Sequence, residues 1–75
     1  MSKLPSFKPR EIERILLRNG FLIIRQTGSH RIYYNPKTEK VVAVPFHSKD
    51  VPRGTVRSII KQSDLPKETF LKRRK

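Results

Sequence analysis

The stretch FLIIRQTGSHRIYYN, residues 21–35, decides the fold of this chain. Apolar, β-branched and aromatic residues dominate 21–26, which predicts a short β-strand there. The Thr-Gly-Ser sequence of residues 27–29 interrupts that pattern with turn residues. A second strand is predicted over 30–35, and so short a connection requires the two strands to pair antiparallel. A β-hairpin is therefore the centre of the predicted fold.

A helix precedes the hairpin. Pro9 suits the first turn of a helix, where its missing N–H does no harm, and Gly20 suits the left-handed position after the last turn. Between them, apolar residues recur with helical spacing. The stripe comprises Ile12, Ile15, Leu16 and Asn19, widened by Leu17.

A strand and a second helix follow the hairpin. Residues 35–39 have the composition of a turn, and a third strand is predicted over 40–46, ended by Pro45 or soon after. Pro52 or Arg53 opens the second helix. Its apolar stripe comprises Val56, Ile59, Ile60 and Ser63, and a last turn from Pro66 to Leu71 anchors Phe70 against the core.

These elements predict a small α+β domain of order α-β-β-β-α. Two helices on one face of a three-stranded antiparallel sheet is the natural packing, and it resembles the architecture of double-stranded-RNA-binding domains. A chain of 75 residues allows one domain, 1–75. Residues 1–7 are expected to form a loose arm, and 72–75 a solvated basic tail.

Composition bounds the class of protein. There is no cysteine, which fits a reducing cytoplasm. The longest apolar run, 21–24, is far short of the ~20 residues that span a bilayer. Pro5, Pro9 and several charges make the N-terminus unlike a signal peptide. We therefore expect a cytoplasmic protein.

The charge of the chain indicates a polyanionic partner. Eighteen Lys and Arg residues oppose six Asp and Glu, for a net charge of +12. So large an excess repels itself and is usually retained for an anionic partner. Nucleic acid is the first candidate, an anionic membrane the second and an acidic protein the third.

The sequence contains few candidate catalytic side chains and no cluster of metal ligands. Two histidines without any cysteine or carboxylate cluster predict no metal site and no cofactor. A Ser29–His30 nucleophilic pair is excluded because neighbours in an extended chain point to opposite faces. RNA, however, carries its own nucleophile in the 2′-OH. Its cleavage needs positioning, charge neutralisation and a group that exchanges protons near neutral pH, for which histidine is suited.

His30 and His47 are the two candidates for that proton exchange. His30 follows a glycine at the start of a strand, where its ring can meet solvent. Taken alone it is also compatible with an ordinary half-exposed strand histidine. His47 lies in the loop before the second helix and can contact phosphate, assist as a second proton carrier, or merely pack.

Several basic and aromatic residues are candidates for RNA contact. Arg53, Arg57 and Lys61 recur at i, i+4 and i+8 on the second helix, which fits either phosphate binding or a solvated face. Tyr33 and Tyr34 can stack on bases, but since they alternate, at least one is expected to pack on the sheet. The predicted RNA contacts are Gly28, Ser29, Arg31, Tyr33, His47, Lys49, Arg53, Arg57 and Lys61.

An ordered set of motifs over residues 8–71 resembles the HicA (YcfA-like) toxins. They are Asn19-Gly20-Phe21, Gly28-Ser29-His30-Arg31-x-Tyr33, Val44-Pro45-Phe46-His47 and residues 54–62, with Leu65 and Phe70 closing. The resemblance implies a double-stranded-RNA-binding-like fold, metal-independent mRNA cleavage and a HicB antitoxin that masks the toxin. The family's catalytic histidine falls on His30 and its second-motif histidine on His47, whose role is open. Asp64 departs from the pattern, since the family commonly has glycine there; aspartate tolerates the left-handed conformation well.

The combined prediction is a type II toxin that cleaves mRNA with His30, arrests translation and growth, and is neutralised by its antitoxin. Arg31, Lys49, Arg53, Arg57 and Lys61 would hold phosphates. Two alternatives stay open: a non-catalytic RNA-binding module, and a docking domain for an acidic protein.

Overall fold

A computed structural model describes residues 5–47 and 49–72 of the chain. The elements are α1 (Pro9–Arg18), β1 (Leu22–Thr27), β2 (His30–Asn35), β3 (Lys40–Pro45), α2 (Arg53–Ser63) and α3 (Lys67–Lys72). The strands form one antiparallel sheet in the order β1-β2-β3. The predicted α-β-β-β-α order is confirmed, and the predicted last turn is a short third helix. No helix in the described ranges is long and apolar enough to cross a membrane.

Local hydrogen bonds explain where α1 begins and ends. At its start, the backbone N–H of Lys8 donates to Oε1 of Glu11 over 2.8 Å. At its end, the N–H of Phe21 donates to the carbonyl of Leu16 over 3.0 Å, while Gly20 has φ 94°. This is the Schellman arrangement, in which glycine takes the left-handed position. The predicted end of α1 at Gly20 is confirmed.

Strand register divides the sheet into two unlike faces. Tyr33 lies opposite Ile23 and Val42, whereas Tyr34 lies opposite Leu22 and Val41. Since paired residues share a face, these two rows point in opposite directions. The inner face, which packs on the helices, carries the buried Tyr33, Asn35, Val42 and Val44. The outer face carries Leu22, Arg25, Thr27, His30, Ile32, Tyr34, Val41, Ala43 and Pro45.

One hydrophobic core lies between the inner face and the helices. Phe70 of α3 is fully buried in it, as predicted. β1 contributes none of its residues, because all six are exposed at the edge of the sheet. The core comprises Phe7, Ile12, Ile15, Leu16, Phe21, Tyr33, Val42, Val44, Val51, Val56, Ile59 and Phe70.

Phe7 corrects the prediction of a loose arm over residues 1–7. Its side chain is 0% exposed and packs edge-on against Phe70, with ring centroids 6.4 Å apart. Its carbonyl accepts a 2.8 Å hydrogen bond from the N–H of Val51. The segment is therefore fastened to the core at this residue. Residues 1–4 of the predicted arm lie outside the described residues.

Three smaller outcomes concern helix ends and faces. Asp64 has φ 62°, so aspartate does accept the left-handed conformation that ends α2. Lys72 is the last residue of α3 rather than part of a tail, and residues 73–75 lie outside the described ranges. Leu17 is 43% exposed, so it does not widen the buried stripe of α1.

Truncating Phe7 tests its place in the core. Phe7→Ala should lower the free energy of unfolding by about 3–5 kcal/mol, because a fully buried ring is replaced by a cavity. The exposed Leu17 offers a matched control, and Leu17→Ala should change that free energy by less than about 1 kcal/mol. Urea unfolding followed by circular dichroism measures both. Equal effects of the two variants on the free energy of unfolding would contradict the burial of Phe7 in the core.

Candidate active site

His30 lies at one end of the sheet, exposed on its outer face. It is the first residue of β2, and its neighbours across the two adjacent strands are Thr27 and Pro45. Within the described part of the chain, its ring takes part in no hydrogen bond or ion pair. The imidazole is therefore open to solvent and free to exchange a proton with a bound molecule.

The turn before His30 is joined to the end of β3. Gly28 has φ 52°, and a Cβ placed on it would meet nothing within 4 Å. Glycine is therefore required by the left-handed backbone and not by a close contact. The carbonyl of the half-buried Ser29 accepts a hydrogen bond from the N–H of Phe46. This bond extends the β2–β3 pairing one residue beyond the strands.

His47 is therefore brought to the same end of the sheet as His30. It is exposed and lies two residues after Pro45, the partner of His30 in β3. Paired Cα atoms are about 5.5 Å apart at most and two residues extend at most about 7 Å, so the two Cα atoms lie within about 13 Å. Both histidines therefore lie at the end of the sheet that carries the turn of residues 28–29.

Arg31 and Tyr33 point the other way, into the inner face, where both bind Glu13 of α1. Arg31 Nη1 donates to Glu13 Oε1 over 2.6 Å, and the Tyr33 hydroxyl donates to the same oxygen over 2.7 Å. The guanidinium carbon of Arg31 lies 3.9 Å from the ring centroid of Phe46. Arg31 Nε is buried without a partner among the described residues. Together these groups form a polar bridge between α1 and the sheet.

This bridge shifts two pKa values upward. The hydrogen bond to Glu13 raises the pKa of Arg31, which holds its positive charge. Burial, followed by the hydrogen bond to Glu13, raises the pKa of Tyr33 well above its ordinary value. Tyr33 therefore stays protonated and remains a donor to the carboxylate.

Tyr33 is a correction to the predicted RNA contacts. Its side chain is 0% exposed, so it cannot stack on a base without opening the core. Of the two alternating tyrosines, it is the one that packs. Arg31 is 26% exposed and already paired, so a phosphate has to compete with Glu13 for its guanidinium.

The remaining predicted phosphate contacts are exposed cations outside the sheet. Arg53, Arg57 and Lys61 lie exposed along α2, spread over about 12 Å of helix. Lys49 is exposed in the loop before that helix. Gln62 accepts a 3.4 Å hydrogen bond from the N–H of Ala43, which holds α2 along the free edge of β3. These cations therefore form a surface beside β3.

A cavity of about 650 Å³ lies between the start of α1 and the loop after β3. It is lined by residues 8–11, Arg14, Phe46 and His47. No role was predicted from the sequence for Arg10 and Arg14, which lie outside the apolar stripe of α1. The signal was their i, i+4 spacing, continued by Arg18, which matches the cationic spacing on α2. In the ranges 5–47 and 49–72, no three His, Cys, Asp or Glu side chains are grouped as metal ligands.

A family model matches most of the chain. Residues 9–65 match the family described as the HicA toxin of bacterial toxin–antitoxin systems. The match includes the cap at Gly20, the turn before His30 and all of α2. Among curated proteins, none matches the sequence.

Removing the Tyr33 hydroxyl should weaken the bridge to α1. Tyr33→Phe should lower the free energy of unfolding by about 1.5–3 kcal/mol, because one hydrogen bond to a carboxylate is lost. Tyr34→Phe is the matched control on the outer face and should change it by less than about 0.5 kcal/mol. Chemical denaturation of both variants at neutral pH measures the difference. A larger loss of stability in Tyr34→Phe than in Tyr33→Phe would contradict the stabilising role of the Tyr33 hydroxyl.

The same residue predicts alkaline sensitivity. The pKa of Tyr33 is raised in the folded state above its ordinary value of 10.0, so ionisation favours the unfolded chain. The stabilisation is present below pH 10 and is lost as pH rises above it. The free energy of unfolding should therefore be lower above pH 10 than at pH 9. This decrease should be smaller in Tyr33→Phe than in the wild type. Identical decreases in both proteins would show that ionisation of Tyr33 does not cause the loss of stability.

Proposed function

The chain belongs to the HicA toxin family, and on that premise we propose that it is a metal-independent endoribonuclease that cleaves mRNA with His30. Family membership makes it the toxin of a toxin–antitoxin system, with an antitoxin as its partner. One observation carries the catalytic proposal. The imidazole of His30 is exposed at the end of the sheet and has no hydrogen-bond or ion-pair partner in the described ranges.

The proposed reaction uses the 2′-OH of RNA as its nucleophile. His30 accepts the 2′-OH proton as the oxygen attacks phosphorus, and the P–O5′ bond breaks. The departing 5′-oxygen takes up a proton, either from the imidazolium formed in the first step or from water. The products are a 2′,3′-cyclic phosphate and a 5′-OH. No cofactor takes part in this scheme.

Positive charge supplies the other requirement of the reaction. Negative charge grows on the phosphate oxygens in the transition state, and fixed cations beside them lower the barrier. Arg53, Arg57 and Lys61 on α2, with Lys49 before it, are proposed to hold phosphates along the edge of β3. Gly28 and Ser29 would contact the RNA backbone where the turn meets His30, and His47 would contact it from the other side. The mRNA substrate assigns the activity to the cytoplasm.

A HicB-type antitoxin is the proposed partner, and the outer face of the sheet is the surface it would cover. Leu22 and Val41 are 55% and 51% exposed there, on either side of Tyr34. Exposed apolar rows of this kind typify protein interfaces. Since His30 lies on the same face, a protein covering it would also block the imidazole.

The leading alternative is an RNA-binding module without catalysis. The same cationic surfaces would give it salt-sensitive RNA binding. One observation distinguishes this binding module from a ribonuclease: RNA stays intact even at a high concentration of the protein.

Replacing His30 tests the catalytic proposal. His30→Ala should abolish RNA cleavage and growth arrest, because no other described group at that position of the outer face exchanges protons near neutral pH. His47→Ala is the matched control, a second exposed histidine at the same end of the sheet, and it should retain measurable cleavage. Gel analysis of RNA incubated with each purified protein gives the comparison, with circular dichroism to verify folding.

Two results would contradict the mechanism. Full cleavage by a folded His30→Ala protein would remove His30 from the reaction. Loss of wild-type activity in EDTA, restored by a divalent metal, would replace proton transfer by metal chemistry. Intact RNA with the wild-type protein would favour the binding module.

A lysine on the outer face tests the antitoxin surface. Val41→Lys should weaken binding of the cognate antitoxin by about tenfold or more, because a charge enters an apolar contact. Leu17→Lys introduces the same charge on α1, away from that face, and should leave the affinity within about threefold of wild type. Calorimetric titration of each toxin with the antitoxin provides both values. Equal affinities would place the antitoxin elsewhere.

A further inference from the structure

We propose that the cavity between the start of α1 and the loop after β3 binds one nucleotide of RNA next to the cleaved bond. Its phosphate would lie on Arg10 and Arg14, and its base against Phe46. The proposal rests on the ribonuclease function above and adds a binding site on a different element from the α2 cations.

The two arginines that line the cavity have no partner among the described residues. No described residue forms an ion pair or hydrogen bond with Arg10 or Arg14, and their i, i+4 spacing on α1 makes them repel each other. Lys8 differs, because its Nζ pairs with Asp50 over 3.0 Å. The single carboxylate in the lining, Glu11, accepts the backbone N–H of Lys8. Two guanidiniums that line one cavity and have no partner in the described ranges are suited to a phosphate.

The cavity also has an aromatic wall, which distinguishes a nucleotide from a bare phosphate. Phe46 is half-buried and lines it, while Arg31 covers one face of the Phe46 ring at 3.9 Å. An aromatic ring beside cations is the combination that binds single-stranded nucleic acid, since bases stack on the ring and cations follow the backbone. The volume of about 650 Å³ lies within the range of small-ligand sites.

The location of the cavity relates it to the cleaved bond. His47 lines it, and the Cα atoms of His47 and His30 lie within about 13 Å of each other. That span suits one or two nucleotides of extended RNA. A strand with its cleaved phosphate at His30 would thus pass the end of the sheet and place its next nucleotide in the cavity.

Two double variants of equal charge separate the cavity from general electrostatics. Arg10→Ala with Arg14→Ala removes two cations from the cavity. Arg18→Ala with Lys72→Ala removes two from a separate depression between α1 and α3. Binding is measured by fluorescence anisotropy with a short labelled 2′-O-methyl RNA, which lacks the nucleophilic hydroxyl and stays intact with the wild-type protein.

The cavity variant should bind about tenfold more weakly or worse, with the slope of log K against log salt reduced by about 1.4, or about 0.7 for each lost contact. The control should lose less than about threefold. Equal losses, or no loss in either variant, would overturn the cavity site while RNA cleavage by the wild type leaves the proposed function intact. A wild-type protein that neither binds nor cleaves RNA would overturn both.

A second measurement tests the base contact. Adenosine 5′-monophosphate and inorganic phosphate are each titrated into labelled wild-type protein at equal ionic strength and followed by NMR. The amides of residues 8, 10–14 and 46–47 should shift with the nucleotide, and more than with phosphate. Equal shifts from both would reject the base contact with Phe46, and shifts confined to α2 would reject the cavity.

Discussion

One carboxylate oxygen, Glu13 Oε1, joins α1 to the middle of the sheet. It accepts hydrogen bonds from both Arg31 and Tyr33, which reach it from alternate positions of β2. Because Arg31 then lies over Phe46, the same oxygen also orients the residue that begins the loop after β3. The turn before His30 and the cationic start of α1 are held relative to each other through this bridge.

Because the domain is small, different surfaces of the same sheet serve the core and the binding of partners. Over β2 and β3 the inner face of the sheet packs into the core, so partners have to bind elsewhere. β1 extends beyond the helices with all six residues exposed, and the outer face carries apolar rows beside His30. In our account the antitoxin takes that face, and RNA takes the cationic end and edge of the sheet. Under this proposal the two ligands would meet at His30, so that binding of one would exclude the other.

Much of the fold follows from local patterns. The alternation over residues 30–35 and the apolar stripe of α2 predicted both elements, since each pattern reflects one buried side. Phe7 was missed because a lone aromatic residue between two prolines has no periodicity, and its burial depends on Phe70, far along the chain. Alternation separates Tyr33 from Tyr34, but only the packing of α1 decides which of them faces the core.

The sequence predicted which residue types form the candidate site, but not which of them are brought together. His30 was identified from its glycine turn, the charge of the chain and an ordered resemblance, and the structure places it on an exposed face. Arg10 and Arg14 could not be assigned to a cavity, because a helix face bearing arginines has the same spacing whether it meets solvent or a neighbouring loop. The role of Arg31 was likewise hidden, since its partner Glu13 lies eighteen residues away in sequence.

The central claim is that a lone histidine cleaves RNA by using the nucleophile that RNA itself carries. Analysis of the cleaved ends tests this most directly, with unmodified RNA and its 2′-O-methyl counterpart incubated with the wild-type protein. We expect fragments ending in 2′,3′-cyclic phosphate and 5′-OH from the unmodified RNA and no cleavage of the 2′-O-methyl RNA. Fragments with 5′-phosphate ends, or cleavage of the 2′-O-methyl RNA, would contradict this mechanism.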